Sequence, residues 1–432
     1  MKQKINDTTE DRMSLPEYLV RYAGYLLKWI LIAAVTGVAC GLVGALFYNG
    51  VAEATALRTA HPWLLYCLPF AGLLIVFLYR FLGQEGNNTD TVIEAAREGS
   101  RLRIELLPSI FAGTILTHLC GGSSGREGAA LQIGGDIGNH IGAFFRLDED
   151  EMRVATMSGM AAFFSAIFGT PLTAAVFVML FINVGSYLEM ALLPSYLSSL
   201  IAIWLSEKFG AVPFRFAIDV PALEVHYFVR VMVLAAAAGL VSVLFVQVLH
   251  TTGHLYRRFF KNPYIRVAAG AVLVIILTKV LGTADYNGAG GEIIRAAVVE
   301  GQAQPEAFLL KILFTALTLE AGFKGGEIVP TFFIGATFGC VAAPLLGIPA
   351  GFGAAVGLVA AFAGATNTVV ASIFLSIEVF GAEGILFFAL SCIVSFVVSG
   401  YNGLYSSQRI IYSKVRPKQI DLKTNHNHMR KH

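Results

Sequence analysis

Glu127 stands in a glycine-framed run, Gly122 to Gly138, reading GSSGREGAALQIGGDIG. Glycines at 121, 122, 125 and 128 are spaced to stop one helix and open another with its first backbone N–H groups free. Those groups and the helix dipole together make an anion site of roughly half a positive charge. A carboxylate in that mouth competes with the anion: ionised it takes the anion's place, protonated it loses its charge and can leave. Gly125, Arg126 and Gly128 thus frame an anion site, and Glu127 is a gate able to couple an anion to a proton. The competing reading is a solvated Arg126–Glu127 ion pair in a loop. A second mouth, Phe323 to Gly335, FKGGEIVPTFFIG, repeats the device with Gly325, Gly326 and Glu327, and puts Pro330 in the first helical turn. Burying an acid beside Ile328, Val329 and Phe332 costs at least about 2.5–3.5 kcal/mol at membrane depth, which favours a functional reading. Glu327 could instead cap its own helix or pair with Lys324.

Weaker candidates lie elsewhere. Gly86 to Asp90, GNNTD, breaks the chain where Asn87 and Asn88 can donate amide hydrogens to an anion or cap a helix beginning near Thr89. Tyr405, in GLYSSQ, can offer its hydroxyl to the same anion or anchor the chain at an interface. His250 and His254 are four residues apart, but no third ligand is near, so a polar helix end is the reading and no metal or cofactor is expected. Glu378 and Asp136 read as structural polar contacts. An intramembrane hydrolase using Ser123 or Ser124 with His118 or His140 is the enzyme alternative, and it leaves the repeat described below unexplained.

The elements that must carry these residues belong in a membrane. Of 432 residues 56% are hydrophobic and only 14% charged, against about 45–50% and 25% in soluble domains, and the mean hydropathy is +0.68. A net charge of +2 built from 31 basic and 29 acidic residues, with no basic stripe, argues against a nucleic-acid partner. Many apolar segments run only about 10–17 residues, short of the roughly 20 that cross a bilayer upright. Such segments imply half-helices, which membranes tolerate only where protein or a water-filled cavity surrounds the freed backbone, and whose ends in transporters face the ion. Lys2, Lys4, Asp7, Glu10, Asp11 and Arg12 make the N-terminus too polar for a cleaved signal, and Leu26 to Tyr48 reads as a retained helix. Cys40, Cys67, Cys120, Cys340 and Cys392 have neither metal nor disulfide spacing. Basic residues at 97, 101, 103, 257, 258 and 261, and a C-terminus carrying Lys414, Arg416, Lys418, Lys423, Arg430 and Lys431, place both termini in the cytoplasm by the positive-inside rule.

The two mouths suggest an internal repeat. Gly125, Glu127 and Gly135 recur as Gly325, Glu327 and Gly335 at an offset of 200, and Gly159, Ala162, Phe164 and Thr170 as Gly357, Ala360, Phe362 and Thr368 at 198. The division read from this is a tail over 1–20, a first transmembrane repeat over 21–205, a second over 206–413, and a basic tail over 414–432.

Taken in order, Gly86 to Asp90, Gly125 to Ala129, Gly326 to Pro330 and Tyr405 resemble the motifs of the CLC family of chloride channels and anion/proton antiporters, over roughly residues 25 to 413. The resemblance implies an all-α polytopic inverted repeat of about eighteen helices, many broken or tilted. It also implies a homodimer with two pores, Glu127 as the external gating glutamate and Tyr405 as the inner hydroxyl gate. It implies further that the anion is a halide and that the protein sits in a bacterial-type plasma membrane, with proton-coupled antiport as the expected mode and a passive channel as the alternative. Three departures point within the family. Asn87 replaces the usual serine, Phe181 stands where the internal proton-transfer glutamate is expected, and Glu327 occupies a normally apolar position. Together they resemble the bacterial fluoride/proton-exchanging branch, although the hydroxyl expected two residues after the pore-helix acid falls on Val329. With Phe181 unable to carry a proton, Glu327 is expected to substitute, facing Glu127 across the pathway.

Overall fold

The computed structural model describes residues 14–186 and 188–425; the acidic and basic residues noted at positions 2–12, and Arg430 and Lys431, lie outside them. The first half runs through α1 (Leu15–Ala60), α2 (Leu68–Phe81), α3 (Thr89–Glu98), α4 (Leu106–Leu119), α5 (Glu127–Phe144), α6 (Glu149–Phe168), α7 (Pro171–Ile182) and α8 (Leu192–Lys208). The second runs through α9 (Val225–Phe259), α10 (Pro263–Leu281), α11 (Gly291–Arg295), α12 (Ala307–Leu319), α13 (Ile328–Ala342), α14 (Ala350–Thr366), α15 (Val369–Phe380) and α16 (Ile385–Val398). Sixteen α-helices are therefore seen among the described residues, joined by short 3₁₀ and π segments, where about eighteen were expected. Among the described residues six stretches are long and apolar enough to cross a bilayer, and α4, α7, α12, α14, α15 and α16 are shorter apolar helices. Broken segments are thus a property of the fold. Leucines, valines and aromatics exposed along α1, α9 and α10 suit lipid contact, and all five cysteines are free, four of them buried.

Small residues explain how the short helices reach their depth. Gly134 and Gly138 of α5 lie directly on the backbone of Gly159 and Ala155 in α6, and Gly335 and Gly339 of α13 lie the same way on Gly357 and Gly353 in α14. A Cβ at any of these glycines would press into the facing backbone, so close crossing needs the bare Cα. The repeat is therefore real but its register at the mouths is not the one the sequence suggests. Gly134, not Gly135, is the counterpart of Gly335, and α5 opens at Glu127 where α13 opens at Ile328, a spacing of 201. Glu127 consequently matches Ile328, and Glu327 matches Arg126. The spacing of 198 holds downstream, where α7 and α15 follow Thr170 and Thr368 in near-identical backbone conformations.

The C-terminal segment is not a loose tail through residue 425. A three-stranded sheet joins β1 (Asn183–Val184), β2 (Arg409–Tyr412) and β3 (Gln419–Lys423), with β1 parallel to β2 and β2 antiparallel to β3. Lys414, in the turn between β2 and β3, sends its ammonium to Asn367 Oδ1 (2.5 Å), the Phe396 carbonyl (2.8 Å) and Ser399 Oγ (3.1 Å). A cation is thereby placed at the C-termini of α14 and α16, where the helix dipoles favour one. Burial pushes the Lys414 amine down to about 7.

Candidate anion pathway

The two mouths meet head to head. Gly125 N–H donates to Gly326 O (2.8 Å) and Gly326 N–H to Gly125 O (2.9 Å), a two-bond antiparallel bridge. Flanking it, Ser123 N–H donates to Thr318 Oγ1 (3.0 Å) and Lys324 N–H to Thr117 Oγ1 (3.2 Å). Each threonine also donates back to its own helix, Thr117 to Gly113 O and Thr318 to Phe314 O. The reciprocal pattern is a local two-fold axis, and it brings the N-termini of α5 and α13 together.

Glu127 folds into this junction. It is fully buried, and its Oε2 accepts from Arg126 N–H (3.0 Å) and from Val329 N–H in the first turn of α13 (3.2 Å). The carboxylate thus sits on a first-turn amide of the other repeat, the position the helix dipole offers to an anion. Its Oε1 is buried with no partner. Gly125 makes the fold-back possible, because a Cβ there would overlap Oε2. Arg126 turns away and stacks its guanidinium on Tyr48, 4.3 Å from the ring centroid, so the solvated Arg126–Glu127 pair is not what forms.

Glu327 lies on the other side of the bridge. It is the N-cap residue of α13 but makes no side-chain cap; instead its Oε2 accepts from Tyr405 Oη (3.1 Å). Lys324 does not pair with it either, and its ammonium sits 3.9 Å above the Tyr79 ring. Ile328 and Val329 are buried behind the acid. The tyrosine is held from both directions: Thr424 Oγ1 donates to its carbonyl (2.5 Å), and Phe181 meets its ring edge-on with centroids 4.6 Å apart. Phe181 also stacks on Phe177, so the helix end where the resemblance places an acid is an aromatic plug. Asp90 fixes the same loop by accepting from Ser407 N–H (2.9 Å) and Oγ (2.6 Å).

Asn87 borders a cavity of about 630 Å³ whose walls include Gln132, Arg266, Glu320, Lys324 and Glu327. Its amide donates to Gln84 Oε1 (2.7 Å). The helix cap is Asn88, whose Oδ1 accepts from Thr91 N–H, so Asn87 does not have the capping role weighed for it. A smaller cavity of about 260 Å³ joins Asp90, His250, Arg257, Glu320, Glu327 and Tyr405. His250 lies against Gly403 O (3.2 Å) and Asn425 Nδ2 (2.9 Å).

Glu378 makes the structural polar contact expected of it: on α15 it accepts from Leu172 N–H (2.9 Å), Thr173 N–H (2.8 Å) and Thr173 Oγ1 (2.5 Å), so an acid from the second repeat caps α7 of the first. Glu320 was invisible to spacing, since an acid at a helix end is unremarkable until α9 and α10 are folded onto it. Of the residues weighed for a hydrolase, Ser123 Oγ meets Thr315 Oγ1 (3.1 Å), and His118 and His140 turn their Nδ1 atoms to Thr114 O and Asp136 O.

Paired half-helices whose N-termini converge inside a bundle of broken spans define an anion transporter of the CLC type. The voltage gated chloride channel family model matches residues 71–400, and the chain belongs to that family, as an integral membrane transport protein and not an enzyme. It is 34% identical over 400 residues to the "Chloride/fluoride channel protein" of Pseudomonas syringae pv. tomato, covering 90% of this chain and 88% of that one. A crystal structure of a CLC-type fluoride/proton antiporter superposes with a TM-score of 0.86 at 33% identity, over 89% of this chain and 98% of the other. A slow cyanobacterial Cl−/H+ antiporter, at 18% identity and a TM-score of 0.73 over 86% of this chain and 94% of the other, shares the fold.

Proposed function

We propose that this protein exchanges a halide, fluoride ahead of chloride, for protons across a bacterial plasma membrane. It works as a homodimer with one pathway per subunit, two related halves on either side of residue 205, and both termini in the cytoplasm. The observation that carries the reading is the Glu127 carboxylate on the Val329 amide. Ionised, it fills the anion seat at the α13 N-terminus. Protonated, it no longer needs those amides and yields the seat to a halide, so each occupant excludes the other.

Glu327 supplies the second protonation site. A protonated carboxyl carries one O–H donor, so a neutral Glu327 and the Tyr405 hydroxyl, now bonded to each other, can both turn donors toward an arriving halide. An ionised Glu327 repels it. Anion arrival is thereby tied to proton arrival. Asn87 adds amide donors at the entrance, and Gly125, Arg126, Gly128, Gly326, Ile328 and Val329 contribute backbone to the seat. Small, tightly hydrated fluoride needs short donors to replace its water. The Pseudomonas relative and the fluoride/proton antiporter structure favour the same ion.

The test is ion-selective-electrode recording of fluoride and chloride from proteoliposomes with external pH followed at the same time. Fluoride efflux must drive protons uphill in the wild type, and Glu127→Gln must stop proton movement while anions still pass. A mutant that keeps pumping protons refutes the gate; a wild type that moves anions without protons is a channel.

A further inference from the structure

Phe181 leaves the pathway without an acid at the end of α7, yet Glu327 must exchange protons with one side of the membrane. We infer that Glu320, at the C-terminal end of α12, is the residue that relays protons between Glu327 and the aqueous phase on the face carrying α3, the α9–α10 turn and the C-terminal strands.

Glu320 and Glu327 border both cavities, the larger open one and the smaller one beneath Tyr405. A space of about 260 Å³ holds several waters at roughly 30 Å³ each, enough to bridge two carboxyls. Apart from Arg257, the charged groups that share these cavities with Glu320 have partners of their own, Arg80 and Glu85 with each other at 3.7 Å. Asp90 is held by Ser407, His250 by Gly403 and Asn425, and Lys324 stacks on Tyr79. On α10, Arg266 donates to Ala321 O (3.4 Å). Among the described residues Glu320 itself pairs only with Arg257, at 3.8 Å, beyond hydrogen-bonding distance. Its carboxylate is nevertheless seated, because Gly253 of α9 leaves a notch that Oε2 fills and that a Cβ would close. An uncommitted acid in a built seat on the rim of a shared cavity has the position of a relay.

The step conserves its atoms. The O–H bond of protonated Glu320 breaks as its proton passes to cavity water, and a proton from that water forms the O–H bond on Glu327. Glu320 is left as a carboxylate beside Arg257 and takes its next proton from bulk water. Arg257 and Arg266 at the rim keep the ionised acid from closing the entrance to halide.

The inference rests on the reading of Glu327 given above, and the experiment separates the two. Coupled fluoride/proton turnover is measured in proteoliposomes for wild type, Glu320→Gln, Glu320→Asp and Gly253→Ala while pH on the cavity side is stepped from 6 to 8. Glu320→Gln is expected to slow turnover about tenfold at the alkaline end and little at the acid end. That is less than the roughly 10²–10⁴-fold of a positioned acid in a closed site, because cavity water still delivers protons. Glu320→Asp restores the profile, and Gly253→Ala, which displaces the carboxylate without removing it, copies the loss. A Glu320→Gln profile parallel to wild type, or a loss that is the same at every pH, overturns the relay and leaves the antiport reading standing. A wild type that moves no protons overturns both.

Discussion

Replacing Gly125 by alanine puts a methyl group where Glu127 Oε2 now lies, and the methyl, fixed on its Cα and 3.1 Å from Pro330 Cδ, cannot swing aside. The carboxylate must therefore leave its seat. It forfeits two bonds, from the Arg126 and Val329 amides at 3.0 and 3.2 Å. Hydrogen bonds to a charged group are worth about 1.5–3 kcal/mol each, so the seated state loses about 3–6 kcal/mol. At 1.4 kcal/mol per factor of ten, its population falls by about 10²–10⁴. Gly125 has no positive φ, so alanine is tolerated by the backbone and the Gly326 bridge can persist. The expected phenotype is an anion leak: fluoride efflux at or above the wild-type rate, with far fewer protons carried per anion. The assay is paired fluoride-electrode and pH recording on proteoliposomes of protein with wild-type elution. A Gly125→Ala variant with unchanged rate and unchanged proton-to-anion ratio would refute the claim that Glu127 blocks the pathway from this seat.

Glu327→Gln keeps the volume and the Tyr405 contact but carries no exchangeable charge, so coupled turnover should drop severely with folding and elution volume unchanged; wild-type turnover would remove Glu327 from the mechanism. Asn87→Ser should raise chloride flux relative to fluoride without loss of thermal stability, since Asn88 is the cap, and an unchanged flux ratio counts against a selectivity role. Lys414 gives a pH signature. Its amine is at about 7 in the fold against 10.5 free, so the unfolded chain binds more protons between those values and stability rises with pH across that window. Resistance of the C-terminal strands to limited proteolysis should therefore increase from pH 7 to 10 and become flat in Lys414→Met; the same slope in both proteins would show that another group is responsible.

The mouths were legible because their chemistry is carried by residue type. Glycines around an acid can do few things in an apolar chain, and Gly125, Glu127, Gly326 and Glu327 all reach the junction. Their register was not legible, because Gly and Ala recur so often in α5 and α13 that a one-residue slip still finds matches. Only the facing backbones of Gly159 and Gly357 fix it. Asn87 and Asn88 could not be separated from the sequence, as either amide can cap and the choice is made by the turn after Gly86. The C-terminal strands were missed for another reason: their basic residues read as a solvated tail, whereas Lys414 is bound by two helix ends supplied from residues 367 and 396–399. Glu320 and Glu378 acquire their surroundings from helices far away in the chain, which no local pattern encodes.

The seam between the halves is made of peptide groups, Gly125 to Gly326 and back. Such a seam asks that the glycines forming and flanking it, Gly125, Gly326, Gly128 and Gly325, stay small. Halves joined only through side chains would have to change in step, each substitution matched by its partner. Bridged here through the main chain, they are free to differ one residue away, and they do: Arg126 in one half stands where Glu327 stands in the other, and Glu127 where Ile328 stands. A symmetric scaffold can in this way hold an asymmetric set of charges, which is what a pathway needs if its two ends are to be told apart.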